Sequence, residues 1–211
     1  MPEHPILFSG LMVRAIQEGQ KSVTRRVIKP QPPDGLTPAP CHYSSTGWAL
    51  QHASGRCECG AEVRCPYGVP GDHLWVREAT RIDDRATPAG YQTASYVADG
   101  QPVLVDGKPC RWFGKRDYRP PMFMPRVWSR ILLTNKSVRV ERVQDITEEG
   151  AKAEGCWDMQ DADGSSGWGA GTPAPQQYTY RNTFRHLWDA INAKRGFSWD
   201  SNPLVFVVEF A

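Results

Sequence analysis

A chain of 211 residues is long enough to bury one sizeable core, and 25 Lys and Arg against 23 Asp and Glu, a net +2, exclude a protein that lives chiefly on phosphate contacts. No apolar run reaches membrane-spanning length, and the opening MPEHPILFSG lacks the basic flank and long apolar segment of a signal peptide, so a cytoplasmic chain with no membrane contact is expected. Six cysteines in that setting point to thiols or metal ligands rather than to a disulfide framework.

Ser9 caps a short helix that runs to Glu18, with Leu11, Met12, Ala15 and Ile16 as its apolar stripe and Gly19 as its stop. VTRRVI reads as a strand, and the proline-rich PQPPDGLTPAP ends it. Residues 31–70 read as a cysteine-bearing loop insertion. Gly71 and Asp72 turn the chain into HLWVREATRI, where alternation sets Leu74, Val76 and Glu78 on one face, an unusual place for a carboxylate. SYVADG reads as a strand, and residues 100–121 as a second insertion. PRVWSR reads as a strand that interleaves Arg126, Trp128 and Arg130, and RILLTNKSVRVERV as a hairpin or one long bent strand.

Thr147 caps a helix whose first turn carries Glu148 and Glu149 and which Gly155 ends. Residues 156–180, rich in Gly, Ser and Pro, read as a third insertion. RNTFRHLWDAINAKRG is the clearest helix, with Phe184, Leu187, Trp188 and Ile191 on one face and Gly196 as its stop. LVFVVEF closes the chain as a strand apolar enough to be central. Short strands that do not alternate with helices argue for one α+β domain over residues 1–211, built on a small, mostly antiparallel β-barrel with flanking helices and long loop insertions.

The densest chemistry lies in EGQKSVTRRVIK. Lys21 and Thr24 are three apart, so they cooperate only if a turn separates them, and Gly19 supplies one; Thr24 then shares a face with Arg26, while Arg25 and Lys29 fall on the solvated side. The plain alternative is a basic strand edge that discourages aggregation. Glu78 either faces a cavity or pairs with Arg77 or Arg81. Trp128 either stacks on a pyrimidine with Arg126 meeting phosphate, or packs in the core. Cys41, Cys57, Cys59 and Cys65, with His42 and His52 as replacements, either close a structural zinc site or remain thiols; one CxC and two outlying cysteines depart from paired CxxC knuckles.

GQKSVTRR resembles the GxKxxTxR signature of ASCH domains, through Gly19, Lys21, Thr24 and Arg26. GDHLWV, DITEEGAKAEG and LVFVVEF are similar to later segments of that family, and the matching parts amount to roughly half of the chain, arranged as in larger phage and prophage members. The resemblance implies a PUA-like barrel and, in one branch, hydrolysis of N(4)-acetylcytidine to cytidine and acetate by residues matching Lys21, Thr24 and Glu154. Arg26, Glu78, Arg126 and Trp128 are then candidates for substrate binding, with no cofactor required for catalysis. Glu154 falls at the carboxyl end of its helix, where the dipole opposes negative charge unless a cation meets it, and Lys21 would be that cation. Two competing expectations are a module that binds RNA, modified DNA or other single-stranded nucleic acid without turnover, and a ribonuclease.

Overall fold

The computed structural model describes residues 1–41, 48–52, 54–83, 91–113, 115–156 and 179–211, with the backbone alone at 57–62. In chain order the elements are β1 (Glu3–Leu7), α1 (Gly10–Gln17), β2 (Val23–Val27), β3 (Leu36–Pro40), β4 (Trp48–His52), β5 (Cys57–Glu62), β6 (His73–Arg77), β7 (Thr80–Asp83) and β8 (Thr93–Tyr96). Then follow β9 (Leu104–Val105), β10 (Lys108–Pro109), β11 (Tyr118–Arg119), β12 (Leu132–Arg142), α2 (Glu148–Ala153), α3 (Tyr180–Asn192) and β13 (Leu204–Phe210). The class is α+β with mostly antiparallel sheets, and no described helix is long and apolar enough to cross a membrane.

The main sheet runs β1-β6-β12-β13-β2, with β1 and β6 parallel and the other pairs antiparallel. It is open: among the described residues no ladder joins its outer strands β1 and β2, although the Arg26 guanidinium donates to the Leu7 carbonyl at 2.6 Å. RILLTNKSVRVERV holds one long strand, β12, which pairs with β6 at its start and with β13 further on; the register shifts between Asn135 and Ser137. Such an irregularity bends a strand, which lets β12 serve two neighbours in succession.

Alternation along β13 explains its apolar run. Leu204, Phe206, Val208 and Phe210 join the core containing Phe8, Val13, Leu74 and Val76, whereas Val205 and Val207 join the core containing Val143, Phe184, Trp188 and Trp199. Both faces of the strand are covered, so hydrophobic residues are favoured at nearly every position. A third cluster, with Tyr96, Trp112, Met124 and Trp128, sits beside the β11-β7-β8 sheet.

Residues 31–70 are not a bare loop: β3, β4 and β5 form an antiparallel sheet of three strands. LTPAP forms β3, because an edge strand needs hydrogen bonds on one side only and so tolerates Pro38 and Pro40. Residues 100–121 contain the β9-β10 pair and β11. Of the expected insertion at 156–180, residues 157–178 lie outside those described.

Candidate functional site

Ser9 caps α1 by accepting from the Met12 amide, and Gly19, at φ 72°, turns the chain out of the helix. Lys21 then forms an isolated antiparallel bridge with Glu154 before β2 starts at Val23. The turn at Gly19 thus precedes Lys21, and no turn separates Lys21 from Thr24. On the other side, Thr147 caps α2 by accepting from the Gly150 amide at 3.0 Å, Glu154 is its C-cap, and Gly155 leaves at φ 80°. A side chain at Gly155 would stand 3.1 Å from the Ala15 Cβ and 3.2 Å from the Lys21 Cβ, so glycine allows the two segments to close on each other.

The Lys21 side chain is wholly buried. Its Nζ donates to Glu154 Oε2 at 2.6 Å, to the Glu154 carbonyl at 2.8 Å and to the Val23 carbonyl at 2.7 Å. Three acceptors match the three donors of an ammonium group. Desolvation pushes the Lys21 pKa below the ordinary lysine range, and Glu154 pulls the other way. The second oxygen of Glu154 accepts from Arg25 Nη1 at 3.3 Å, and Arg25 Nε donates to Glu141 at 2.7 Å. Burial, with Glu154 beside it, pushes the nearby Cys156 thiol up to about 12, which keeps it neutral and unreactive.

A cavity of about 440 Å³ opens along the free edge of β2, with Thr24, Arg26, Glu154 and Phe206 in its wall, Phe184 and Trp188 of α3 on one flank and Tyr67 on the other. Glu154 lines the cavity and Lys21 does not, so the ammonium stands behind the carboxylate. Thr24 and Arg26 share a face, as alternation requires, and the Phe8 ring centroid is 5.6 Å from Lys21 Nζ and 5.3 Å from the Arg26 guanidinium carbon. Arg26 Nε is buried without a hydrogen-bond partner among the described residues. An acceptor on a bound molecule would satisfy it.

Four expectations need correction. Arg25 is not on a solvated face: it is buried and pairs with two carboxylates, because the second face of β2 is covered by α2 and α3. PRVWSR is not a strand, since Arg126–Trp128 is a turn of 3-10 helix that follows Pro125. Trp128 takes the core alternative, 1% exposed in the third cluster, and Arg126 binds Glu3 through two hydrogen bonds at the surface; neither lines the cavity. Glu78 pairs neither with Arg77 nor with Arg81 but with Arg130, at 2.8 and 2.9 Å. That guanidinium also reaches Asp99 at 2.7 Å and stacks on Tyr96.

Cys57 and Cys59 lie on β5, where side chains fall outside the description; Cys41 is half-buried, and Cys65 is buried with its pKa pushed up to about 11 by desolvation. Among the described residues, no group of three or more His, Cys, Asp or Glu is placed to hold a metal. The residues that sequence reasoning missed are Arg25, Arg64, Tyr67 and Arg195. The stripe on α3 was visible as a core face, but nothing in its spacing marks it as a cavity wall. Comparison of the chain with family models, with curated proteins and with solved structures found no match.

Proposed function

We propose that the chain is an ASCH-type hydrolase with a PUA-like arrangement of strands, which removes an acyl group from a modified pyrimidine nucleoside by cleaving an N(4)-acyl amide bond. The observation that carries this reading is the buried Lys21–Glu154 pair set behind a cavity that Thr24 also lines. A carboxylate that faces a cavity with an ammonium behind it can accept a proton and return it.

In the proposed reaction, the Thr24 hydroxyl, or a water that it holds, attacks the acyl carbon and gives its proton to Glu154. Lys21, held as an ammonium by its three acceptors, fixes the Glu154 carboxylate, which returns the proton to the departing exocyclic nitrogen. The C–N bond breaks and the free amine of cytidine leaves. If Thr24 is the nucleophile, water then hydrolyses its ester and releases the carboxylic acid. Arg26, with its unpartnered Nε at the wall, supplies a donor for the acyl oxygen as negative charge develops.

The test is incubation of purified chain with N(4)-acetylcytidine and with short RNA and DNA oligomers, read by mass spectrometry. Release of cytidine, reduced at least 100-fold in Lys21→Ala and Thr24→Ala, is expected from the usual contribution of general acid–base and nucleophilic groups. Unchanged hydrolysis in Lys21→Ala sinks the assignment. Strand cleavage replaces it with a ribonuclease, and retention without conversion replaces it with a binding module. A structural zinc on Cys41, Cys57, Cys59 and Cys65 is a separate part of the proposal, and it takes no part in the reaction.

A further inference from the structure

The cavity is far more positive than the chain that encloses it. The net charge of the whole sequence is +2, whereas the cavity wall carries Arg25, Arg26, Lys29, Arg64 and Arg195 against a single carboxylate, Glu154. Arg25 is neutralised by Glu141 and Glu154, and Lys21 also rests on Glu154, so the acidic charge at the wall is already matched from within. Lys29, Arg64 and Arg195 have no carboxylate partner among the described residues. Lys29 instead lies over the Phe197 ring, with its Nζ 4.9 Å from the centroid.

These three cations come from separate parts of the chain: the end of β2, the segment after β5 and the turn after α3. A scattered surface charge has no reason to converge on one opening, and like charges brought together repel. Their convergence fits a ligand that delivers negative charge to the rim, and guanidinium groups suit phosphate oxygens through paired N–H donors.

We propose that Lys29, Arg64 and Arg195 form a phosphate subsite at the mouth of the cavity, so that its ligand is a pyrimidine mononucleotide rather than a bare nucleoside. The volume of about 440 Å³ is that of a pocket for one small ligand, which favours a mononucleotide over a long strand. The ring ends among Phe184, Trp188 and Tyr67, the acylated nitrogen faces Glu154 and Thr24, and the phosphate stays at the solvated rim. The identity of the base rests on the hydrolase reading above; the phosphate subsite rests on the rim charges.

Calorimetric titration of the full chain with inorganic phosphate, cytidine and cytidine 5′-monophosphate separates the two. The expected result is that the monophosphate binds about tenfold or more tightly than cytidine, that the advantage shrinks as salt is raised, and that inorganic phosphate competes with it. Arg64→Ala combined with Arg195→Ala, both at exposed positions, should lower binding of the monophosphate to the level of cytidine. Equal binding of cytidine and its monophosphate, or an advantage that survives in the double variant, overturns the subsite. Hydrolysis of N(4)-acetylcytidine with no preference for phosphate would leave the hydrolase standing and the subsite refuted. A phosphate preference with no hydrolysis of the acylated nucleoside or nucleotide would do the reverse.

Discussion

Lys21 spends all three of its N–H donors on two carbonyls and one carboxylate, so it binds β2 to the end of α2 whatever its part in the proposed reaction. Lys21→Met removes the cation and leaves the Glu154 carboxylate buried with only Arg25 to meet it. A loss of about 3 kcal/mol is expected, measured by urea unfolding, as for other buried pairs from which one partner is taken away. The pH dependence follows from burial, which holds Lys21 below its ordinary value of 10.5 against the pull of Glu154. Between the lowered folded value and 10.5, the unfolded chain binds this proton more tightly, so the stability attributable to Lys21 rises with pH across that window. Urea midpoints of wild type relative to Lys21→Met should climb as pH rises toward 10.5, and a constant difference would refute the linkage. Glu78, 1% exposed and held by Arg130, is the other buried carboxylate among the described residues; Glu78→Ala should cost about 3 kcal/mol in the same assay without abolishing hydrolysis. The spacing in GQKSVTRR made the turn at Gly19 and the shared face of Thr24 and Arg26 legible. It did not reveal Arg25, because whether the second face of a strand is wet or covered depends on what folds over it.

At the scale of elements, legibility followed the strength of the local signal. The caps Ser9 and Thr147, the stops Gly19, Gly155 and Gly196, and the stripe of α3 all have local physical causes, and each stands where expected. β3 escaped because two prolines in five residues read as a breaker, and only its edge position makes them harmless. PRVWSR escaped for the opposite reason, since alternating Arg and Trp imitates a strand while Pro125 starts a helical turn. The close approach at Gly155 yields a direct test. Gly155→Ala puts a Cβ 3.2 Å from that of Lys21 in a left-handed backbone, which should cost about 1–2 kcal/mol of stability and reduce hydrolysis by displacing Lys21 from Glu154. Melting temperature and kcat measured together check it, and an active, fully stable variant would show that the junction is slack. Trp188, buried in the second core and also in the cavity wall, should cost about 3–5 kcal/mol when changed to Ala.

At the scale of the molecule, β13 divides the interior: its alternate residues feed two cores, one beneath α1 and one beneath α2 and α3, and the candidate site lies where both meet at the edge of β2. The appended β3-β4-β5 sheet carries the four candidate zinc thiols in or beside its strands. Metal analysis of purified, untagged chain is expected to give close to one equivalent of zinc, and less than about half an equivalent would refute that site. The bridge between Lys21 and Glu154 spans 133 positions of sequence. No fragment that ends before α2 can assemble the pair, and the entropy of closing so large a loop is overcome only when β2 and α2 dock. In a refolding experiment, any turnover regained should therefore trail the return of helical and strand signals, so that the proposed activity would report on a long-range closure.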